Sequence, residues 1–291
     1  MKAGFIGLGA MGEPMARNLH QAGLLTAVWN RTAAKSDAFA GTTGCTAVDS
    51  IGGMAKHCDI VIICVSADAD VLAVVAELAG ALNTGSIVID CSTVAAKTAR
   101  EAADLLAKSD IAFLDCPVSG GTEGAQHGTL SIMVGGEPET VEKARPVLEA
   151  IGRQIVHIGP VGAGQATKAV NQIVVAGVNQ AVSEALAFAA AEKLPLEKVI
   201  EAVNGGAAGS WFLKNRGPNM MRNEFPLGFK IALHKKDLEI CKAMAGAHDV
   251  QLPVVEMTLV HYQRLIETGF GDEDVSALFR LKSDMFMESN A

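Results

Sequence analysis

A chain of 291 residues, 49% of them hydrophobic and 19% charged, is long enough for two domains with cores of their own. Its formal net charge of −8 argues against a nucleic-acid partner, because phosphate-backbone binding leans on clustered lysine and arginine. The six cysteines, Cys45, Cys58, Cys64, Cys91, Cys116 and Cys241, form no C-x-x-C pair. They read as small core residues of a reduced compartment, with neither a disulfide framework nor a metal site in view.

The chain enters a strand at once, without the charged, apolar and small-residue stages of a leader peptide, so a cytoplasmic protein is expected. Residues 2–7 are a short apolar run that ends in glycine. The segment that follows, Gly7-Leu8-Gly9-Ala10-Met11-Gly12, fits G-x-G-x-x-G, and Met15, Leu19 and Ala22 continue it with a helical face. Directly after a strand and opening a helix, such glycines allow a tight turn, a close approach of backbone to a pyrophosphate and close helix–strand packing. Residues 7–12 are therefore expected to bind a dinucleotide.

Residues 24–30 are the second strand, and its end bears on the cofactor. An acidic residue there would bind the ribose hydroxyls and repel a 2′-phosphate. This chain has Asn30-Arg31-Thr32, with Lys35 one helical turn on. A planar guanidinium beside a hydroxyl suits a phosphate, so NADP(H) is expected over NAD(H).

The strand–helix alternation continues. Residues 59–66 and 86–93 are continuous apolar runs, as parallel strands covered on both faces should be. Residues 68–82 between them have helical period. Further strands are expected at 111–121, 130–136 and 154–160, with a helix at 137–151. Val65, Ser66, Ser92 and Thr93 stand at carboxyl ends of strands, where open α/β sheets bind ligands. Two readings of the hydroxyls of Ser66, Ser92 and Thr93 stay open, contact with the cofactor's nicotinamide half and simple turn capping. The loop Ser119-Gly120-Gly121 also has two readings, a cradle for a carboxylate and a plain glycine turn.

Glycine and proline cluster at residues 159–164, so the expected boundary separates a dinucleotide-binding domain (1–161) from an all-helical domain (162–291). The longest helix, 167–192, is interrupted by Asn171, Gln172, Asn179, Gln180 and Glu184, which suits a buried helix better than a membrane span. Helices are also expected at 195–203, 228–248, 253–268 and 274–287. Lys168 opens the long helix, and Asn171 and Gln172 follow on its face. A lysine among small and apolar neighbours at the seam between two domains is placed to shuttle a proton. His57, His127, His157, His248 and His261 lack the neighbours that catalysis or metal binding would need.

Four motifs in order, FIGLGAMGEPMARNL at 5–19, DCPVSGGTEGAQHGTL at 115–130, GAGQATKAVNQ at 162–172 and FKIALHKKDL at 229–238, cover nearly the whole chain. Together they resemble the β-hydroxyacid dehydrogenase family, which includes 3-hydroxyisobutyrate dehydrogenases and glyoxylate/succinic semialdehyde and tartronate semialdehyde reductases. The resemblance implies a Rossmann-type doubly wound α/β domain followed by an all-α domain, the 6-phosphogluconate dehydrogenase-like arrangement. It implies Lys168 as catalytic acid/base with Asn171 in support, and Ser119, Gly120 and Gly121 on the substrate carboxylate. Many members carry a second Asn where this chain has Gln172, so either amide is a candidate for substrate contact. Trp211 and Lys236 are implied at the substrate, and Thr93, Phe229, Lys236 and Asp237 beside the cofactor. The implied reaction interconverts a small aldehyde acid and its hydroxy acid, in a homodimer or homotetramer joined through the helical domain, with no membrane partner. Imine reductases share the architecture but usually replace the lysine, and catalytically silent dinucleotide-binding modules share it too. Keeping Lys168 weighs against the first, and Lys168, Ser119 and the acidic balance weigh against the second.

Overall fold

Short strands buried at nearly every position organise the first half of the computed structural model, which describes residues 1–288. In chain order, β1 (Ala3–Ile6), α1 (Gly12–Gln21), β2 (Leu25–Trp29), α2 (Ala33–Thr43) and β3 (Thr46–Ala47) form the first part. A 3-10 helix (Ile51–Lys56) leads to β4 (Ile60–Ile63), α3 (Asp68–Ala79), β5 (Ile87–Asp90), α4 (Ala96–Ala107) and β6 (Ala112–Asp115). The sheet order is β3-β2-β1-β4-β5-β6, all parallel, as in a dinucleotide-binding fold. Then β7 (Val118–Ser119), α5 (Gly121–His127), β8 (Leu130–Gly135), α6 (Pro138–Ile151) and β9 (Gly152–Gly159) extend it. Strand β8 runs antiparallel to β6 and β7 and parallel to β9.

Successive strand residues point to opposite faces, and here both faces are covered. Phe5, Ile62 and Ile89 join Met15 and Leu19 of α1 and Val147 and Leu148 of α6 in one core. Ile6, Val61, Ile63 and Val88 join Val75 and Leu78 of α3 and Leu106 of α4 in the other. That is why the strands read as unbroken apolar runs. The run at 111–121 is not one strand. It breaks between Asp115 and Val118, where Pro117 has no N–H to give a ladder. Two-residue β3 is too short to show a period.

The chain divides into two compact units, Met1–Lys168 and Ala169–Ala291. Helix α7 (Ala163–Ala191) runs through the division. The second unit continues with α8 (Leu196–Asn204), α9 (Trp211–Met221), α10 (Ile231–Gly246), α11 (Pro253–Glu267), a 3-10 turn (Val275–Ala277) and α12 (Leu278–Glu288). Its described residues form no sheet, only an isolated bridge between Lys230 and Asp274. Helix α9 has no clear signature in the sequence because Gly217 and Pro218 interrupt its period. Ser210 caps it by accepting from Leu213 N (3.0 Å), and Phe212, Leu213 and Met220 are its buried face.

By length and composition α7 could cross a membrane, so hydropathy does not separate that reading from a core helix. Its polar residues do. Asn179 is fully buried and donates to Tyr262 OH (3.0 Å) and Val275 O (2.8 Å). Gln180 is buried against Thr258 and His261. Side chains with such specific protein partners mark a helix packed inside the unit. His234 Nδ1 lies 3.0 Å from the same Tyr262 hydroxyl, so one phenol joins three helices.

Candidate active site

The first unit's site begins where β1 turns into α1. Gly7 has φ of +99°, and a Cβ there would lie 2.2 Å from Cys64 O; at Gly12 it would lie 1.8 Å from Gly7 O. Packing demands both glycines. Gly9 is different, because nothing lies within 4 Å of where its Cβ would stand. Its bareness leaves room beside the first turn of α1, where amides lack intrahelical partners and the helix dipole is positive. This is a cradle of the kind a pyrophosphate needs.

Leu8 is buried, and its N–H donates to Asn30 Oδ1 (2.9 Å). Asn30 Nδ2 in turn donates to Thr32 O (3.1 Å), so the end of β2 is stitched to the glycine loop. Ala10 is exposed and Met11 half-buried at the loop's rim. Arg31 follows with its side chain 82% exposed and Nη1 3.3 Å from Asp70 Oδ1. Thr32 stands at the N-cap position of α2 without a side-chain bond to the helix, and Lys35 is exposed on that helix.

At the carboxyl ends of β4 and β5, Val65 N donates to Ser92 Oγ (2.9 Å), Ser66 is exposed and Thr93 half-buried. Beneath them lie two acids that the sequence reading passed over. Asp90 and Asp115 are register partners across β5 and β6, and neither is exposed. Burial pushes Asp90 up to about 6 against the bonds from Ser92, with Asp115 and Asp68 adding to the rise. Its Oδ1 accepts from Ser92 N (2.9 Å), while Oδ2 has no hydrogen-bond partner. Burial also raises Asp115, although Gly162 N reaches its Oδ1 and Gln165 N its Oδ2, each at 2.8 Å. The available signal was a repeat, since Ile89-Asp90-Cys91 and Leu114-Asp115-Cys116 each close an apolar strand with the same pair.

Burial drives the thiols of Cys58, Cys91 and Cys116 upward, which makes them inert core groups. No disulfide joins cysteines among the described residues.

Lys168 is 7% exposed, and its Nζ donates to Val118 O (2.9 Å). Val118 immediately precedes Ser119-Gly120-Gly121. Ser119 is half-buried, and Gly120 and Gly121 take φ of +133° and +62°, which leaves the loop's backbone open to a ligand. The Lys168 amine and the Ser119-Gly120-Gly121 loop therefore stand side by side.

In the second unit four of the expected residues form one chain of contacts. Asn171 Nδ2 donates to Gln172 Oε1 (2.7 Å), and Gln172 Nε2 donates to Asp237 Oδ2 (2.6 Å). Lys236 Nζ lies 3.0 Å from Asp237 Oδ1. Gln172 is 2% exposed, and His234 Nε2 lies 3.2 Å from its carbonyl. Phe229 packs against His234 with ring centroids 5.4 Å apart. Trp211 lies elsewhere, at the start of α9, 62% exposed with the Arg216 guanidinium over its ring.

The family model described as the NAD binding domain of 6-phosphogluconate dehydrogenase matches residues 2–159. The model described as the NAD-binding domain of NADP-dependent 3-hydroxyisobutyrate dehydrogenase matches residues 162–282. An NAD-dependent L-serine dehydrogenase of Pseudomonas aeruginosa is 36% identical over 287 residues, 95% of this chain and 96% of that one. A 2-hydroxy-3-oxopropionate reductase of Escherichia coli is 36% identical over 281 residues, 96% of each. A solved 3-hydroxyisobutyrate dehydrogenase from Mycobacterium tuberculosis with L-serine superposes with a TM-score of 0.88 at 30% identity, covering 96% of this chain and 98% of that one.

Proposed function

Because the chain belongs to the β-hydroxyacid dehydrogenase family, we propose that it interconverts a small aldehyde acid and its hydroxy acid with Lys168 as general acid/base. It is an oxidoreductase of CH–OH groups with a nicotinamide dinucleotide as cofactor. The observation that carries the reading is the bond from Lys168 Nζ to Val118 O, which sets the ammonium beside the Ser119-Gly120-Gly121 loop.

When bound, the reduced dinucleotide is the hydride source for the carbonyl carbon and is itself oxidised. Residues 7–12, 30–32 and 35, with Val65, Ser66 and Thr93, would hold it; Phe229, Lys236 and Asp237 are the second unit's proposed cofactor residues. The Ser119 loop holds the substrate carboxylate, which turns the carbonyl oxygen toward Lys168. As that oxygen gains negative charge, the ammonium of Lys168 gives it a proton. In the reverse direction the neutral amine takes the hydroxyl proton. Asn171, Gln172, Trp211 and Lys236 are the second unit's proposed substrate residues. Orientation of this kind supplies several kcal/mol of the barrier.

NADP(H) is the preferred cofactor in this proposal. Its support is Arg31, whose exposed pair with Asp70 is weak enough for a 2′-phosphate to displace. Arg31→Ala should lower the ratio of kcat/KM with NADPH to that with NADH by about tenfold. An unchanged ratio would remove Arg31 from cofactor choice.

The exposed apolar residues Val170, Val174, Phe188 and Val260 favour self-association of the helical domain (162–291) as a dimer or tetramer. The buried thiols suit a reducing cytoplasm.

The deciding experiment is oxidation of NADPH and of NADH with glyoxylate, succinic semialdehyde, methylmalonate semialdehyde and tartronate semialdehyde, with L-serine tested in reverse. One preferred substrate names the reaction. No turnover on the panel, with the dinucleotide still bound, would overturn the aldehyde-acid reading.

A further inference from the structure

We propose that Gln165 is a positioning residue that locks the first turn of α7 onto the loop 92–94 and so fixes where Lys168 projects. The inference rests on Lys168 being the acid/base. Gln165 is 1% exposed and uses both ends of its amide on one tripeptide. Nε2 donates to Ser92 O (2.8 Å), and Oε1 accepts from Val94 N (3.2 Å). Thr93 is the residue held between them. The backbone N–H of Gln165 is anchored separately on Asp115 Oδ2, beside Gly162 N on Oδ1.

Ser92 carries the connection onward. Its hydroxyl accepts from Val65 N and its N–H donates to Asp90 Oδ1, each at 2.9 Å. The ends of β4, β5 and β6 and the start of α7 thus share one buried polar network. Lys168 lies three residues after Gln165, one helical turn on and on the same side. Its tip is held by Val118 O. A four-carbon stem fixed at root and tip has little freedom to misplace its proton.

The residue type fits this task. A methionine would fill the same space but leave Ser92 O and Val94 N buried without their partner. A carboxylate could accept from Val94 N but could not donate to Ser92 O, and it would add a charge near Asp90 and Asp115. A carboxylic acid could do both.

The test compares full-length wild type, Gln165→Met, Gln165→Glu and Lys168→Met. Steady-state rates are taken with NADPH and the best aldehyde acid of the panel from pH 5.5 to 9. Gln165→Met should lose about 30- to 100-fold in kcat with KM and NADPH Kd within about threefold, because misplacement of about 1 Å costs that much. Its solvent deuterium isotope effect on kcat should rise, since proton transfer becomes the harder step. Gln165→Glu should recover toward wild type as pH falls and its introduced carboxyl is protonated. The ratio of Gln165→Met to wild type should show no such titration.

Near-wild-type kcat in Gln165→Met overturns the proposal, as does a loss confined to NADPH Kd or a flat pH ratio for Gln165→Glu. Near-wild-type turnover in Lys168→Met sinks the acid/base reading instead. Competitive acetylation of Lys168 by acetic anhydride, read by mass spectrometry, judges the positioning without any substrate. Faster labelling in Gln165→Met than in wild type supports it, and equal labelling overturns it.

Discussion

The two units use polar groups in opposite ways. In the first, the buried side chains Asp90, Asp115 and Gln165 bond to backbone and hold the strand-end loops in place. In the second, the buried polar groups tie helices to one another, with Tyr262 OH shared by Asn179 and His234 and Asp237 shared by Gln172 and Lys236. A parallel sheet already satisfies its own backbone, so its polar side chains are free to shape loops. Helices satisfy theirs too, but helix–helix packing alone leaves register loose, and a buried hydrogen-bonded network specifies one arrangement.

The largest expected effect falls on the first unit. Lys168→Ala should lower kcat by about 10³-fold with NADPH affinity retained, as loss of a general acid does. Turnover near wild type would leave the first unit as a cofactor platform only.

A paired substitution sharpens the claim that the glycine loop divides packing from binding. Gly12→Ala should unfold the loop or the unit, since the new Cβ meets backbone at 1.8 Å. Gly9→Ala should keep wild-type Tm within about 2 °C, as a surface change does, yet bind the dinucleotide at least tenfold more weakly. Equal behaviour of the two variants would break the division.

Asp90 tests the buried acids. Its carboxyl rises from 3.8 unfolded to about 6 folded, so the folded state favours the protonated form. Its stability contribution is therefore intact below pH 4 and is lost as pH rises toward 6. Against Asp90→Asn, which cannot titrate, wild-type stability should fall by about 2 kcal/mol between pH 4 and 7. Urea unfolding across that range measures it, and a pH-independent difference would refute it.

The smallest effect belongs to the second unit. Tyr262→Phe removes the hydroxyl that Asn179 and His234 share, and should cost about 1–2 kcal/mol without changing kcat by more than about twofold. A larger fall in kcat would show that the helical network also sets the chemistry.

Much of the first unit was legible in the sequence. Gly7, Gly9 and Gly12 announce a strand-to-helix turn, and unbroken apolar runs announce strands covered on both faces. The break at Pro117 was visible in principle, but the apolar run on either side of it outweighed one missing N–H. Helix α9 was hidden because Gly217 and Pro218 mask its period while Ser210 and packing against the unit's core sustain it. Membership of the family followed from four motifs whose residue types carry their chemistry locally.

The buried polar network was not legible, for a physical reason. Asp90 and Asp115 lie 25 positions apart and Gln165 a further 50, and nothing in a linear pattern says that their side chains converge. Local sequence determines glycine turns, periodicity and caps, because those forces act within a few residues. Which buried donor finds which acceptor is decided only when the sheet brings the ends of β4, β5 and β6 together under the first turn of α7.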